Sequence, residues 1–258
     1  MNNLNLKNTV EGLIETFLKA GKVAKEISQR GVKISIKDDK SPVTDGDLAV
    51  DEILRSKIKV LSPEIPIISE ETVDLNINIK KEDTSFWLID PIDGTRDYIK
   101  KKEEYTLNAA LIIDLKPAAG IIYAPAKNRL FFSYGKNLAF EMNNGKVTNL
   151  RCKKINNNEI IGLENSGETP SEILSIYKKY KVTKKIKMSS SLKFCTLAAG
   201  EADIYAAQAR AYEWDIAAGH AILKHSGGNV TDFNGKEILY GKKDFKNPSL
   251  ILKRSSLL

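Results

Sequence analysis

The chain has 258 residues, which at about 150 residues per domain makes one large domain or two modest ones. Apolar residues make up 42% of it and charged residues 28%, so a disordered chain and a disulfide-stapled miniprotein are both excluded. The net charge is +7, but only 7 of the 40 cationic side chains are arginine. A diffuse excess of lysine indicates a solvated surface, so a nucleic-acid polymer is not an expected partner and small anionic substrates remain compatible.

The two cysteines, Cys152 and Cys195, form no CxxC pair, which predicts a reduced protein of the cytoplasm. Glu11 and Glu15 interrupt the first apolar stretch, and the longest apolar run, residues 109–113, is far shorter than the roughly 20 residues that a membrane span needs. We therefore expect no transmembrane segment. Peripheral association with the inner membrane is left open.

Apolar spacing of three and four predicts a helix over residues 8–29 and a second helix over residues 47–60. A short strand and a polar loop separate them. The strands predicted next end in acidic residues or are divided by turn signals, as in a meander; they cover residues 64–69, 86–89, 107–113, 120–123 and 129–133. The first half of the chain is therefore predicted to be α+β.

Strands and helices alternate in the second half, which is typical of an α/β layer. The strands are predicted at residues 160–163, 185–188, 203–206 and 229–232, and the helices at residues 170–180, 192–200 and 216–225. A segment rich in Asn and Lys, residues 142–158, is predicted to connect the halves. We expect an N-terminal α+β domain over residues 1–141 that carries metal-binding motifs and a C-terminal α/β domain over residues 142–258 that supplies Asp215 and substrate contacts.

The strongest chemical signal is Asp90-Pro91-Ile92-Asp93-Gly94-Thr95, which directly follows an apolar run. The turn brings two carboxylates together, and they repel each other unless a cation lies between them. Hard oxygen ligands favour Mg²⁺, whose other positions hold water and a substrate phosphate. The alternative is that both aspartates only cap a turn.

Two further acidic groups follow other predicted element ends. Glu70 and Glu71 come after a strand, and Asp215 precedes a helix. Alone, they are ordinary surface and cap residues, but sites of α/β proteins form where such ends meet. Together these carboxylates can hold more than one cation, and the backbone N–H groups of Gly94 and Thr95 suit a phosphate.

These motifs resemble the inositol monophosphatase superfamily of lithium-sensitive, magnesium-dependent phosphatases. The matching segments are Ser41-Pro42-Val43-Thr44-Asp45-Gly46-Asp47, Ser69-Glu70-Glu71, residues 90–95, and Trp214-Asp215-Ile216-Ala217-Ala218-Gly219-His220-Ala221. Within it the chain is most similar to the CysQ-type 3'(2'),5'-bisphosphate nucleotidases, through residues 190–195, Tyr98-Ile99-Lys100, Gly235-Lys236 and Asn247-Pro248. The resemblance implies a layered αβαβα sugar-phosphatase fold.

The resemblance also implies the site residues. Two or three Mg²⁺ ions would be held by Glu70, Asp90, Asp93, Asp215 and the backbone carbonyl of Ile92. Asp47 and Thr95 would orient and deprotonate the nucleophilic water, and Glu71, just outside the metal ligands, would hold metal-bound water. The amides of Gly94 and Thr95 would bind the phosphate, and Ser190, Lys193 and Arg210 would contact the rest of the substrate.

The resemblance implies 3'-phosphoadenosine 5'-phosphate as the substrate, cleaved at its 3'-phosphate. The chain has Ala207 where CysQ-type relatives usually carry an arginine, and Arg210 is the residue that would compensate. Inositol 1-phosphate or a related small sugar phosphate is therefore the alternative. A non-enzymatic anion- or RNA-binding module is a remote one, since the chain has neither an aromatic RNA-binding strand motif nor a P-loop. A homodimer is left open.

For several other residues a purely structural role must be considered beside a functional one. Lys193 and Phe194 fit either a substrate site or the two faces of a packed helix. His220 and His225 lie five residues apart, which does not bring them to one helix face, and are predicted to be structural. Trp214 and Cys195 are predicted to pack in the core.

Overall fold

The computed structural model describes residues 3–73, 84–152, 159–254 and 257. Its helices are α1 (Asn3–Arg30), α2 (Asp45–Leu61), α3 (Thr95–Ile99), α4 (Ser171–Lys179), α5 (Leu192–Ala198) and α6 (Glu213–His225). Its strands are β1 (Ile34–Ile36), β2 (Pro42–Thr44), β3 (Ile67–Ser69), β4 (Phe86–Asp93), β5 (Thr106–Ile113), β6 (Lys116–Ala124), β7 (Arg129–Ser133), β8 (Ala139–Asn143), β9 (Lys146–Asn149), β10 (Ile161–Glu164), β11 (Lys184–Lys187), β12 (Ile204–Ala207), β13 (Asn229–Asp232) and β14 (Leu250–Lys253). No helix within these described residues has the length and apolar character to span a membrane.

The larger sheet has seven strands in the order β3-β4-β5-β6-β7-β8-β9. Strand β3 runs parallel to β4, and every later neighbour is antiparallel. The parallel pair matters for the site because both strands end at the same edge. There β3 ends just before Glu70, and β4 carries Asp90 and Asp93.

The smaller sheet has five strands in the order β11-β10-β12-β14-β13. Strand β10 is parallel to both β11 and β12, as the alternating pattern of the sequence predicts, whereas β14 is antiparallel to β12 and β13. The short hairpin of β1 and β2 forms a separate sheet before α2.

The apolar side chains form three clusters that lie between successive layers. The first packs α1 and α2 on one face of the large sheet, with Phe17, Leu54 and Trp87 inside it. The second places α5 and α6 between the two sheets, and the third packs α4 on the outer face of the small sheet. The layers therefore run α, β, α, β, α, which confirms the expected αβαβα architecture.

Helix α6 has little space on either side. A Cβ added at Gly120 of β6 would lie 2.5 Å from the carbonyl oxygen of Ala218, and one added at Gly219 would lie 2.3 Å from the Phe194 ring. The buried Glu213 fixes the start of the helix, since its carboxylate accepts hydrogen bonds from the backbone N–H groups of Gly241 (2.8 Å) and Lys242 (2.9 Å). Asp215 lies in the first turn of α6. Its position is therefore fixed by the contacts of the helix with β6 and with Phe194 and by the hydrogen bonds of Glu213.

Part of the predicted connector belongs to the large sheet. Residues 142–149 of that segment continue β8 through a turn at Asn144-Gly145 into β9, so the prediction of a linker was wrong there. Residues 153–158 of the same segment lie outside the described residues. Strands β2 and β14 were not predicted from the sequence. The division into residues 1–141 and 142–258 stays a proposal.

Candidate active site

Three carboxylates converge at the edge where β3, β4 and α6 meet. The backbone N–H of Glu70 donates to the carbonyl of Ile89 at 3.0 Å, which places Glu70 beside Asp90 on the next strand. Asp215 comes to the same place from the first turn of α6. Single carboxylate oxygens of Glu70, Asp90 and Asp215 all lie within 4.8 Å of one another. This is the separation that a shared cation would bridge.

Burial and mutual repulsion make this cluster costly to ionise. Burial is the largest cause that raises the pKa of Asp90 well above its usual range, and the charges of Glu70, Asp93 and Asp215 add to it. Burial likewise raises the pKa of Asp215, with Asp93 and Glu70 the next largest causes. The pKa of Asp93 rises to about 6 through burial, although Lys193 and Ser191 oppose the shift. A cation at the centre would remove the repulsion.

The donor set fits a hard divalent cation. Asp90 is only 1% exposed, and its Oδ1 atom has no hydrogen-bond partner among the described residues. A buried carboxylate oxygen without a donor requires an explanation, and an oxygen-binding metal such as Mg²⁺ supplies one. Glu70, Asp90 and Asp215 are therefore the residues that would hold it.

Two predicted metal ligands make other contacts. Asp93 lies close enough to affect the charges of the cluster, and its Oδ2 atom accepts a short hydrogen bond from the backbone N–H of Ser191. The carbonyl of Ile92 accepts a hydrogen bond from the Thr95 hydroxyl at 3.0 Å. Metal ligation by Asp93 and Ile92 stays a prediction.

Asp47 and Thr95 form the predicted pair. The Thr95 hydroxyl lies 3.1 Å from Asp47 Oδ1, and Thr44 binds the other carboxylate oxygen through its backbone N–H at 2.8 Å and its hydroxyl at 2.5 Å. Thr44 is also the N-cap of α2, so the capping box that starts the helix fixes the Asp47 side chain. Burial raises the pKa of Asp47 despite these hydrogen bonds, which makes it a better proton acceptor.

Glu71 contacts a lysine that the sequence analysis missed. Lys37 follows β1, and its Nζ lies 2.8 Å from a Glu71 oxygen and 3.0 Å from a Glu70 oxygen. Burial raises the pKa of Glu71 to about 7. The two carboxylates hold the pKa of Lys37 above its usual value although burial opposes them, so the ammonium stays charged. Local periodicity does not predict these contacts, because Lys37 lies 33 residues from Glu70 and 34 residues from Glu71 in the sequence.

A cleft of about 540 Å³ opens beside the carboxylates. Its lining includes the predicted substrate residues Gly94, Ser190, Lys193 and Arg210 together with Asp93. Gly94 has φ = 94°, and a Cβ there would lie 3.2 Å from the carbonyl of Glu104, so the turn requires glycine. The cleft thus places cationic side chains for an anion beside Asp93, and a second cavity of about 260 Å³ shares Asp93, Lys193 and Arg210 with it and reaches Asp215.

Lys193 is both a core residue and a cleft residue. It is 6% exposed, its Nζ donates to the Met188 carbonyl at 3.3 Å, and it lies 5.2 Å from the centre of the Tyr205 ring. Burial lowers its pKa to about 8, and the nearby Arg210 adds to the shift while Asp93 opposes it. An ammonium that is poorly solvated gains more than usual from an anionic ligand.

The remaining conspicuous residues are structural, as predicted. Trp214 stacks on Tyr212 with ring centroids 4.8 Å apart. The Nδ1 atom of His220 lies 2.9 Å from the Tyr240 hydroxyl, and that of His225 lies 3.0 Å from Ser133. Burial raises the pKa of the Cys195 thiol well above its usual value, which leaves the thiol unreactive.

Comparison with known proteins identifies relatives over nearly the whole chain. The family model "Inositol monophosphatase family" matches residues 5–256. A protein of Buchnera aphidicola subsp. Acyrthosiphon pisum named 3'(2'),5'-bisphosphate nucleotidase CysQ is 40% identical over 216 residues, which cover 83% of this chain and 79% of that protein. Its namesake in Escherichia coli (strain K12) is 33% identical over 218 residues, covering 82% and 85%.

Solved structures agree in fold. The crystal structure of CysQ from Bacteroides thetaiotaomicron has a TM-score of 0.79 and 27% identity, covering 96% of this chain and 97% of that one. A staphylococcal IMPase-I, solved in complex with products, has a TM-score of 0.76 at 20% identity, and the match covers 95% of this chain and 90% of that one. This likeness shows the shared fold alone. The chain belongs to the inositol monophosphatase family.

Proposed function

We propose that this protein is a magnesium-dependent 3'(2'),5'-bisphosphate nucleotidase that hydrolyses the 3'-phosphate of 3'-phosphoadenosine 5'-phosphate. Relatives that carry this enzyme name cover most of the chain. The observation that carries the proposal within the molecule is the cleft itself, where Asp93 of the acidic cluster and the cations Lys193 and Arg210 share one lining. A bisphosphate needs carboxylates that hold a metal at the reacting phosphate and cationic side chains that pair with the second phosphate.

The metal would be held chiefly by Glu70, Asp90 and Asp215, with Asp93 and the Ile92 carbonyl completing sites for two or three Mg²⁺ ions. When bound, Mg²⁺ neutralises phosphate charge and lowers the pKa of water. The protein's own share in the chemistry is then to place a water molecule and remove its proton.

Asp47 and Thr95 are suited to that task. The Thr95 hydroxyl lies 3.1 Å from Asp47 Oδ1 and 3.0 Å from the Ile92 carbonyl, so when its one proton is directed to Asp47 it can accept a hydrogen bond from the attacking water. The raised pKa of Asp47 favours its taking the proton. Glu71, whose pKa of about 7 lies near neutrality, would hold a second water.

Substrate contacts would come from the cleft. The amides of Gly94 and Thr95 would bind the reacting phosphate, and Ser190 lies beside Gly94, where a Cβ would come within 3.6 Å of the Ser190 side chain. Lys193 and Arg210 would pair with the second phosphate. Ala207 stands where an arginine was expected from the resemblance, and Arg210, which lines the same cleft, would supply the cationic contact to the second phosphate instead.

The experiment is a comparison of kcat/KM on 3'-phosphoadenosine 5'-phosphate and inositol 1-phosphate, each with Mg²⁺ and with EDTA. We expect the nucleotide to be preferred by a modest margin, because each charge-assisted contact is worth about 1.5 to 3 kcal/mol and one cation is missing. A higher value for inositol 1-phosphate makes the protein an inositol monophosphatase. Full activity in EDTA refutes the metal assignment, and inhibition by Li⁺ supports it.

We also propose that the enzyme acts in the cytoplasm, because both cysteines, Cys152 and Cys195, are free and buried. Cell fractionation tests this, and it also tests the alternative of peripheral binding at the inner membrane. A homodimer is the assembly to look for by light scattering.

A further inference from the structure

Ser191 joins the two halves of the chain at the carboxylate cluster. Its hydroxyl donates to Asn108 Oδ1 at 2.7 Å and lies 2.8 Å from the Thr106 hydroxyl. Its backbone N–H donates to Asp93. Ser191 directly precedes α5 in the second half of the chain, whereas its three partners lie on β4 and β5 of the large sheet.

The partners of Ser191 are aligned with two of the proposed metal ligands. In the pairing of β4 with β5, Asn108 lies opposite Asp90, and Thr106 lies opposite Asp93. Directly opposite residues share a face of the sheet and lie about 5 Å apart at Cβ. The face that presents the carboxylates therefore also presents the groups that hold Ser191.

The loop that Ser191 ends is fixed at several points. Glu104 Oε2 accepts a hydrogen bond from the backbone N–H of Ser189 at 2.9 Å. Ser190 has φ = 57°, a left-handed conformation that the surrounding contacts must hold in a residue other than glycine. This loop lines the substrate cleft beside Gly94, so its position affects substrate binding as well.

Two buried atoms at this point lack a protein partner among the described residues. They are Asn108 Nδ2, a donor, and Asp90 Oδ1, an acceptor. Asn108 is 1% exposed, as is Asp90. Buried polar atoms of this kind are usually satisfied by an ordered ligand or water, so the Asn108 side chain has a hydrogen-bonding capacity beyond its contact with Ser191.

We propose that Asn108 and Thr106 are positioning residues of this phosphatase. Together with Ser191 they form a polar clamp that holds Asp93 in the orientation a cation needs and holds the loop of residues 189–191 at the cleft. The clamp couples metal affinity to substrate affinity. It rests on the proposed function for both effects, since Asp93 as a metal ligand and the cleft as the substrate site belong to that proposal.

The test uses Thr106→Val, Asn108→Leu and Ser191→Ala, with Thr106→Ser as the conservative rescue. Thr196→Val is the matched control: it lies on the helix that follows Ser191, and its buried hydroxyl contacts the Leu192 carbonyl and the Met188 sulfur rather than Ser191 or its partners. Mn²⁺ affinity is measured without substrate by electron paramagnetic resonance, and kcat and KM are measured on 3'-phosphoadenosine 5'-phosphate. Thermal melting in EDTA reports stability separately.

We expect Thr106→Val, Asn108→Leu and Ser191→Ala each to weaken Mn²⁺ binding and raise KM by about fivefold or more, the effect of one lost hydrogen bond. The double variant Thr106→Val with Ser191→Ala should lose less than the two single losses combined. Thr106→Ser and Thr196→Val should keep wild-type values for both constants.

Well-folded clamp variants with Mn²⁺ affinity and KM within about twofold of wild type would overturn the proposal. So would variants that, like Thr196→Val, change only the melting temperature. If the wild type does not turn over the nucleotide but the clamp variants still lose Mn²⁺ affinity, the substrate assignment fails and the clamp stands.

Discussion

Replacing Asp90 with asparagine tests the repulsion inside the carboxylate cluster. The change keeps the size of the side chain and removes one charge from a group whose neighbours, Glu70 and Asp215, place oxygens within 4.8 Å. Two unit charges at that distance repel by about 3 kcal/mol at an effective dielectric constant of about 20. Partial protonation already relieves some of this energy, so we expect the metal-free variant to gain about 1 to 2 kcal/mol near neutral pH.

The effect has a definite pH dependence. The folded state raises the pKa of Asp90, so its destabilising effect is absent below the pKa of the unfolded chain and grows as the pH rises through the folded value. Asp90→Asn should therefore melt like wild type near about pH 3, below the unfolded pKa of aspartate, and several degrees higher near about pH 8, both in EDTA. Mg²⁺ should raise the melting temperature of wild type and have little effect on the variant, which should also lose phosphatase activity.

Differential scanning calorimetry with and without MgCl₂ measures these shifts. Asp203→Asn is the control, because Asp203 is buried against Arg254 and its replacement should lower the melting temperature at both pH values. An Asp90→Asn protein that is less stable than wild type in EDTA, or that is stabilised equally by Mg²⁺, would refute the reasoning.

Three further substitutions probe the water, the phosphate turn and the cleft. Thr95→Ala should lower kcat by about 10² to 10⁴ through loss of the hydroxyl beside Asp47, while Mn²⁺ affinity changes little; equal losses in both would contradict the assigned role. Gly94→Ala should destabilise the protein by about 1 to 3 kcal/mol in chemical denaturation and raise KM, because the residue has φ = 94° and its new methyl group meets the Glu104 carbonyl; wild-type stability would show that the turn adapts. Lys193→Met should raise KM for 3'-phosphoadenosine 5'-phosphate much more than for inositol 1-phosphate, and equal increases for the two substrates would argue against a second phosphate at Lys193.

The residues predicted best are those that one short segment carries. Asp90, Asp93 and Thr95 lie within six residues of one another, so their mutual arrangement depends on local turn geometry that the sequence specifies. Glu70 and Asp215 could be assigned to the same site from the sequence, because Glu70 follows a predicted strand and Asp215 precedes a predicted helix. Their separation from Asp90 depends on strand pairing, which only the fold supplies.

The contacts missed by the sequence analysis all join distant segments. Asn108, Thr106 and Ser191 meet because of the β4–β5 register and the packing of α5. Hydrophobic periodicity constrains which face of a strand a residue lies on, but it does not say which residues of two strands lie opposite each other. Lys37 reaches Glu71 from a hairpin for the same reason. The turn between β8 and β9 differs, since Asn-Gly is a strong local hairpin signal that was present in the sequence.

A substitution at Gly120 should impair the enzyme although this residue is not one of the reacting groups. A methyl group there would require α6 to move away from β6, because the new atom would lie 2.5 Å from the backbone carbonyl of Ala218. Asp215 lies one turn earlier on that helix and would move with it. Gly120→Ala should therefore reduce Mn²⁺ affinity in folded protein, and unchanged affinity would contradict this. Catalysis would thus depend on a residue that is placed in neither the metal site nor the substrate cleft.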